Sequence, residues 1–127
     1  MSHIIEIKNL KKYFGNTKAV DDISFSVEEG NLFAFLGLNG AGKSTTINIL
    51  VGVLKKDSGE CFVNNISIDE ISKILPNIGI VFQSSVLDKN LSVYDNLKYR
   101  AMLYGMDKRK FEENLEYFID KLDLEQI

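Results

Sequence analysis

The run Gly37-Leu38-Asn39-Gly40-Ala41-Gly42-Lys43-Ser44-Thr45 fits G-x-x-x-x-G-K-[ST], the spacing of a loop built to cradle phosphate. Its glycines permit positive φ and close approach of a ligand, so successive backbone N–H groups can converge on phosphate oxygens. A helix starting near Lys43 would add its unpaired first-turn amides and the positive end of its dipole. Lys43 is a mobile point charge able to reach β- and γ-phosphates, and the Ser44 hydroxyl can ligate Mg²⁺. Thr45 is placed for the α-phosphate. At average residue frequencies the four fixed positions arise by chance in only about four of a thousand chains of this size. The pattern therefore predicts a nucleoside triphosphate site rather than a flexible Gly/Asn turn.

Such a loop needs a strand before it and a helix after it. Leu32-Phe33-Ala34-Phe35-Leu36 is a continuous apolar run of strand length, the pattern of a strand buried on both faces of a parallel sheet. Thr46 to Gly52 continues as helix. Before this core, Ile4 to Leu10 and Thr17 to Val27 read as two strands joined at Gly15-Asn16, and the alternation Ile23-Ser24-Phe25-Ser26-Val27 marks a half-exposed antiparallel strand. Cys61 to Ile68 reads as another strand of that layer, followed by a short helix from Asp69 that Pro76 ends. Ile78 to Phe82 is predicted as a second buried strand, closed by Gln83-Ser84-Ser85. Beyond Asp88 the pattern turns helical. Ser92 with Asp95 fits a helix-capping pattern, Gly105 a stop, and Phe111, Leu115, Phe118, Ile119 and Leu122 the apolar period of a last helix that fades from Asp123.

The 127 residues are the size of one domain, enough to bury about two-thirds of the unfolded surface. A formal net charge of −3, with Lys11-Lys12, Lys55-Lys56 and Lys108-Arg109-Lys110 scattered among acids, gives no nucleic-acid track. The single cysteine, Cys61, can form no internal disulfide and reads as a small core residue. No apolar run reaches the roughly 18 residues of a membrane span. Met1-Ser2-His3 lacks a signal-peptide start, so a cytoplasmic location is expected.

Three groups of residues together resemble the nucleotide-binding domain of the ABC (ATP-binding cassette) family: the loop sequence NGAGKST, the aromatic of Lys12-Tyr13-Phe14-Gly15, and Ile80-Val81-Phe82-Gln83. The resemblance implies an α/β P-loop NTPase fold with an antiparallel β layer at the amino terminus and the start of a helical subdomain, divided as 1–87 and 88–127. It implies ATP and Mg²⁺ as ligands. In it Tyr13 stacks on adenine, a contact suited to a flat base. Val20 either lines the same pocket or only packs. Gln83, at the end of its expected strand, is the family's sensor of Mg²⁺ or the attacking water. The implied partners are an integral membrane permease subunit and a second ATP-binding domain, with the protein peripheral on the cytoplasmic face of the membrane. The stretch Tyr94 to Met106 most resembles ATPase subunits of exporters with separate membrane subunits.

The departures limit what this polypeptide can do alone. Leu38 stands where many relatives have proline, at a position where only the backbone faces phosphate. There is no LSGGQ-like signature, no apolar strand ending in Asp-Glu, and no switch histidine, since the only histidine is His3. Tyr117-Phe118-Ile119-Asp120 lies on a helical period and is followed by Lys121 where a glutamate base is needed, so it is no substitute. The resemblance thus implies the amino-terminal half of a domain, able to bind MgATP without turning it over, and exposing unpaired strand edges. A soluble ABC ATPase of translation or DNA repair and another kind of P-loop NTPase are the alternative readings. The charge balance gives no support to the first, and the absence of a base-specificity motif such as N-K-x-D speaks against the second.

Overall fold

The computed structural model describes residues 3–84 and 86–124. Ser85 and residues 125–127, which fall in the expected strand terminus and the fading last helix, lie outside the described residues, as do Met1 and Ser2. The chain divides into two compact units, Met1–Ile80 and Val81–Ile127.

The first unit is built on the expected antiparallel layer. Strands β1 (His3–Phe14) and β2 (Thr17–Glu28) form a long hairpin across Gly15-Asn16, and β3 (Ser58–Val63) and β4 (Ile66–Ser67) complete a four-stranded sheet in the order β2-β1-β3-β4. Helix α1 (Lys43–Leu50) follows the loop. One core of Ile7, Leu10, Val20, Ile49, Cys61, Val63, Ile68 and Ile74 joins the sheet to α1 and to the helical turns after β4. Cys61 is fully buried, and burial pushes its thiol up to about 11, so it is a packing residue as expected. The short helix is longer than anticipated. Ser67 caps a 3-10 turn at Ile68–Glu70, α2 (Ile71–Ile74) follows, and a further 3-10 turn runs over Leu75–Asn77. Pro76 therefore sits inside that last turn, near its start, where a missing N–H costs nothing.

The hairpin is not regular. Lys12 pairs with Val20 and Tyr13 with Lys18, so Ala19 is an extra residue in β2, a β-bulge. In a plain strand Lys18 and Asp21 would point to opposite faces; the extra residue turns them to the same one. It also sends Val20 into the core, where it is 4% exposed.

Two expected strands do not form. Leu32 to Leu36 forms no strand; Leu32 and Leu36 are almost entirely exposed. Only alternate residues of this run find a surface, Phe33 stacking on Phe25 of β2 at a centroid distance of 5.3 Å and Phe35 packing on it tilted at 5.4 Å. Ile78 to Phe82 likewise forms none, with Val81 fully exposed. The cause is the same for both. A strand is a relation between neighbours, and no described segment pairs with either run to complete its backbone hydrogen bonds.

In the second unit, α3 (Val93–Leu103) and α4 (Lys108–Lys121) start at Ser92 and Asp107, whose side chains accept from the amides of Asp95 and Lys110. Ser92 is the expected cap. Buried Asn96 closes the turn before α3: its Oδ1 accepts from Asp88 N at 2.9 Å, and its Nδ2 donates to the carbonyls of Asp88 and Ser92 at 2.9 and 3.0 Å.

Candidate functional site

The site is assembled from the loop of residues 37–45 and the bulged end of the β1-β2 hairpin, both within the first unit. Gly42 is the hinge between them. It takes φ +80° as the residue before α1, and a Cβ placed on it would lie 2.2 Å from the Ala19 carbonyl oxygen and 3.1 Å from Val20 Cγ2. Only glycine meets both demands, a left-handed backbone and contact with the bulge. Thr46, fully buried, fastens the junction by donating from Oγ1 to Gly42 O at 2.9 Å, while its amide donates to the same oxygen at 2.9 Å.

Within the loop, Ala41 N donates to Leu38 O at 3.1 Å, and Leu38, Asn39, Gly40 and Ala41 lie exposed. Lys43 Nζ donates to Gly37 O and Leu38 O, each at 2.6 Å, so the ammonium folds back onto its own loop. The amides of Lys43, Ser44 and Thr45 open α1 and have no intrahelical acceptor. Ser44 is exposed, and its hydroxyl has no hydrogen-bond partner among the described residues. A cation held only by two carbonyls, a row of unsatisfied amides and a positive helix end form a donor set matched to a chain of phosphates. No group of three His, Cys, Asp or Glu side chains suited to a metal occurs among the described residues.

Tyr13 stands at the end of β1, partly exposed, beside the bulge. Its hydroxyl donates to Asp21 Oδ1, and its backbone N–H donates to Asp57 Oδ2 at 2.6 Å. Lys18, its cross-strand partner, places Nζ over the ring at 5.5 Å from the centroid and 3.0 Å from Asp21 Oδ2. Asp57 also holds Lys12 Nζ at 2.7 Å. The Tyr13 phenol is raised above its ordinary value, chiefly by the hydrogen bond to Asp21; the Asp21 carboxyl is held below its usual range by Tyr13 first and Lys18 second. Val20 packs in the core and abuts Gly42. Gln83 lies in the second unit, exposed, in the stretch that forms no strand.

Sequence reasoning missed Asp21, Lys18 and Asp57. Lys18 was within reach, because a two-residue turn at Gly15-Asn16 sets Tyr13 opposite it. Asp21 was not, since its side depends on the bulge, and Asp57 comes from the turn entering β3, remote in sequence.

Known proteins resemble this chain in sequence and in fold. The chain belongs to the ABC transporter family, whose sequence model matches residues 20–127. It is 39% identical over 118 residues to the ABC transporter ATP-binding protein YhcH of Bacillus subtilis, covering 91% of this chain and 39% of that protein. An ABC transporter ATP-binding protein of Methanocaldococcus jannaschii is 38% identical over 120 residues, 94% of this chain and 42% of the other. Among solved structures, an ATP-binding subunit of an ABC transporter superposes with a TM-score of 0.81 at 27% identity, covering 97% of this chain and 52% of that one. The Clostridium perfringens protein cbiO1, part of the transporter complex cbiONQ, gives 0.78 at 28% identity, covering 94% and 50%. The fold is accordingly that of ABC ATP-binding domains, the P-loop α/β class, with the antiparallel layer first and helices after. This chain spans about two-fifths of the length of those curated relatives and about half of those solved chains. Among the described residues no helix is long and apolar enough to cross a membrane.

Proposed function

We propose that this chain binds the triphosphate of ATP, with Mg²⁺, as the amino-terminal part of the ATP-binding subunit of an ABC transporter. The observation that carries the reading is the loop: Lys43 bound only to the carbonyls of Gly37 and Leu38, beside the unpaired amides that open α1. Phosphate oxygens would replace those carbonyls as partners of the ammonium, exchanging neutral acceptors for charged ones. Gly37 to Thr45 hold the phosphates in this reading, Ser44 ligates the metal, and Tyr13 offers its ring to the adenine. Gln83 is assigned, from the family resemblance alone, as the sensor of Mg²⁺ or the attacking water. The helical part from residue 88 is the start of a helical subdomain.

In the whole protein the bound ATP would be hydrolysed by positioning and charge stabilisation around the γ-phosphate. A second ATP-binding domain and a membrane permease subunit would be the partners, on the cytoplasmic face of the membrane. The name of the YhcH relative and the cbiONQ complex to which cbiO1 belongs support a transporter role. The resemblance of Tyr94 to Met106 favours an exporter with separate membrane subunits. The sequence carries binding groups but no apolar strand ending in Asp-Glu, so in this reading the isolated chain binds MgATP without turning it over.

Calorimetric titration with MgATP, together with a phosphate-release assay, tests this. The expected result is saturable one-to-one binding with no release. Absence of binding, or binding unchanged in Lys43→Ala, overturns the site; phosphate release that Lys43→Ala abolishes overturns the inactivity of the isolated chain.

A further inference from the structure

A tyrosine ring on a hairpin end is a poor platform unless something fixes its plane, and here β2 and the turn into β3 supply the fixing groups. The bulge at Ala19 turns Lys18 and Asp21 to one face of β2, where the Asp21 carboxylate accepts from the Tyr13 hydroxyl with one oxygen and from Lys18 Nζ with the other. Lys18 closes over the ring. Asp57 meanwhile anchors the Tyr13 backbone from the turn that enters β3. We propose that Asp21 is a positioning residue for Tyr13, and that Lys18 seals one face of the ring so that a nucleobase stacks on the remaining face alone. The proposal rests on the reading of Tyr13 as the base platform.

A single exposed ion pair restrains little, because two long side chains must be ordered to make it. The arrangement here differs in that one carboxylate is shared by two donors, one of them the rigid ring itself, whose hydroxyl lies in the ring plane. Fixing that hydroxyl limits rotation about the Tyr13 side-chain bonds, and the ammonium over the ring adds a cation–π contact. The direction of the phenol's shift agrees with a hydrogen bond that holds its proton. With the hydroxyl committed to Asp21, the ring meets the base through its π face and not through its polar atom.

The test compares ATP with inorganic tripolyphosphate, which has the phosphate chain and no base, on the full chain and on Tyr13→Ala, Asp21→Ala and Asp21→Asn. Ring signals of Tyr13 in NMR spectra are assigned by their change in Tyr13→Phe. Asp21→Ala is expected to weaken ATP about two- to five-fold, the range of an exposed polar link, and to leave tripolyphosphate unchanged. Asp21→Asn, which keeps an oxygen for the hydroxyl, recovers most of the loss. Asp21→Ala also moves the Tyr13 ring signals without ligand, and ATP leaves the upfield ring-current shift of the Lys18 ε-methylene in place. The positioning role is overturned if Tyr13→Ala weakens ATP selectively while Asp21→Ala does not, if Asp21→Ala weakens both ligands equally, or if the ring signals stay fixed. Loss of the Lys18 shift on adding ATP overturns the single-face claim. Failure of the base reading gives a different result, Tyr13→Ala affecting neither ligand.

Discussion

Lys43 bonds to carbonyls five and six residues away in its own loop, whereas Tyr13 is held by Asp21 and Asp57, eight and forty-four residues further along the chain. The phosphate end of the proposed site is thus a local device: one contiguous run supplies charge, amides and the glycine hinge. The base end is a tertiary one, made where a bulged hairpin meets the turn into β3. The two meet at Gly42, where a Cβ would run into the Ala19 carbonyl of the bulge and the Val20 side chain. A fault at that contact should damage both ends, while faults elsewhere should damage one.

The largest effect is therefore expected from Gly42→Ala. A side chain there has both an unfavourable left-handed backbone and a clash with Ala19 O, so we expect a loss of about 2–4 kcal/mol of stability by denaturant unfolding. Binding of ATP and of tripolyphosphate falls with it. Retained stability and binding would mean that the loop and the bulge are not packed as described.

Next comes Lys43→Ala, which removes a charge-assisted contact worth about 1.5–3 kcal/mol and should weaken ATP and tripolyphosphate alike in calorimetry. Tyr13→Ala should instead cost about 1–3 kcal/mol for ATP, the range of base stacking, and nothing for tripolyphosphate. The contrast between these two variants is the sharpest measure of how separate the ends are. A smaller effect, about 0.5–1.5 kcal/mol, is expected from Ser44→Ala, and only when Mg²⁺ is present, since the hydroxyl acts through the metal. Equal loss with and without Mg²⁺ would assign Ser44 to the phosphates.

The smallest effect is in pH. Asp21 and Asp57 are both held below the ordinary aspartate value of 3.8, each by hydrogen bonds to its charged form. A depressed carboxyl contributes its stabilisation above the unfolded pKa and loses it as pH falls through the folded one. The Tyr13 ring signals should then hold steady as the pH falls from 7 toward the ordinary aspartate value and shift mainly below 3.8. Movement between pH 6 and 5 would show that neither carboxylate holds Tyr13.

The same division into local and tertiary explains what was legible in the sequence. The hairpin strands, the Ser92 cap with Asp95 and the loop leading into α1 were readable because each depends on residues close in sequence. Buried Cys61 and the apolar stripe of α4 were readable from composition and period. Leu32 to Leu36 and Ile78 to Phe82 were misjudged for the opposite reason. Their composition is that of buried strands, and their failure to form them is set by neighbours, which no described segment supplies. Phe33 and Phe35 lie on Phe25, and the intervening Leu32, Ala34 and Leu36 face outward without a cover.

By itself the sequence determined the phosphate loop, the order of sheet and helices, and through its motifs the family, because glycine, lysine and hydroxyl positions act over a few residues. Only the tertiary structure decided that Ala19 would be an extra residue of β2, and with it that Val20 turns inward, Asp21 turns to Tyr13, and Gly42 packs against the Ala19 carbonyl. The physical reason is parity. Side chains alternate along a strand, so an inserted residue reassigns the faces beyond it up to the next irregularity, and where the insertion falls is settled by the packing of the core rather than by any local pattern.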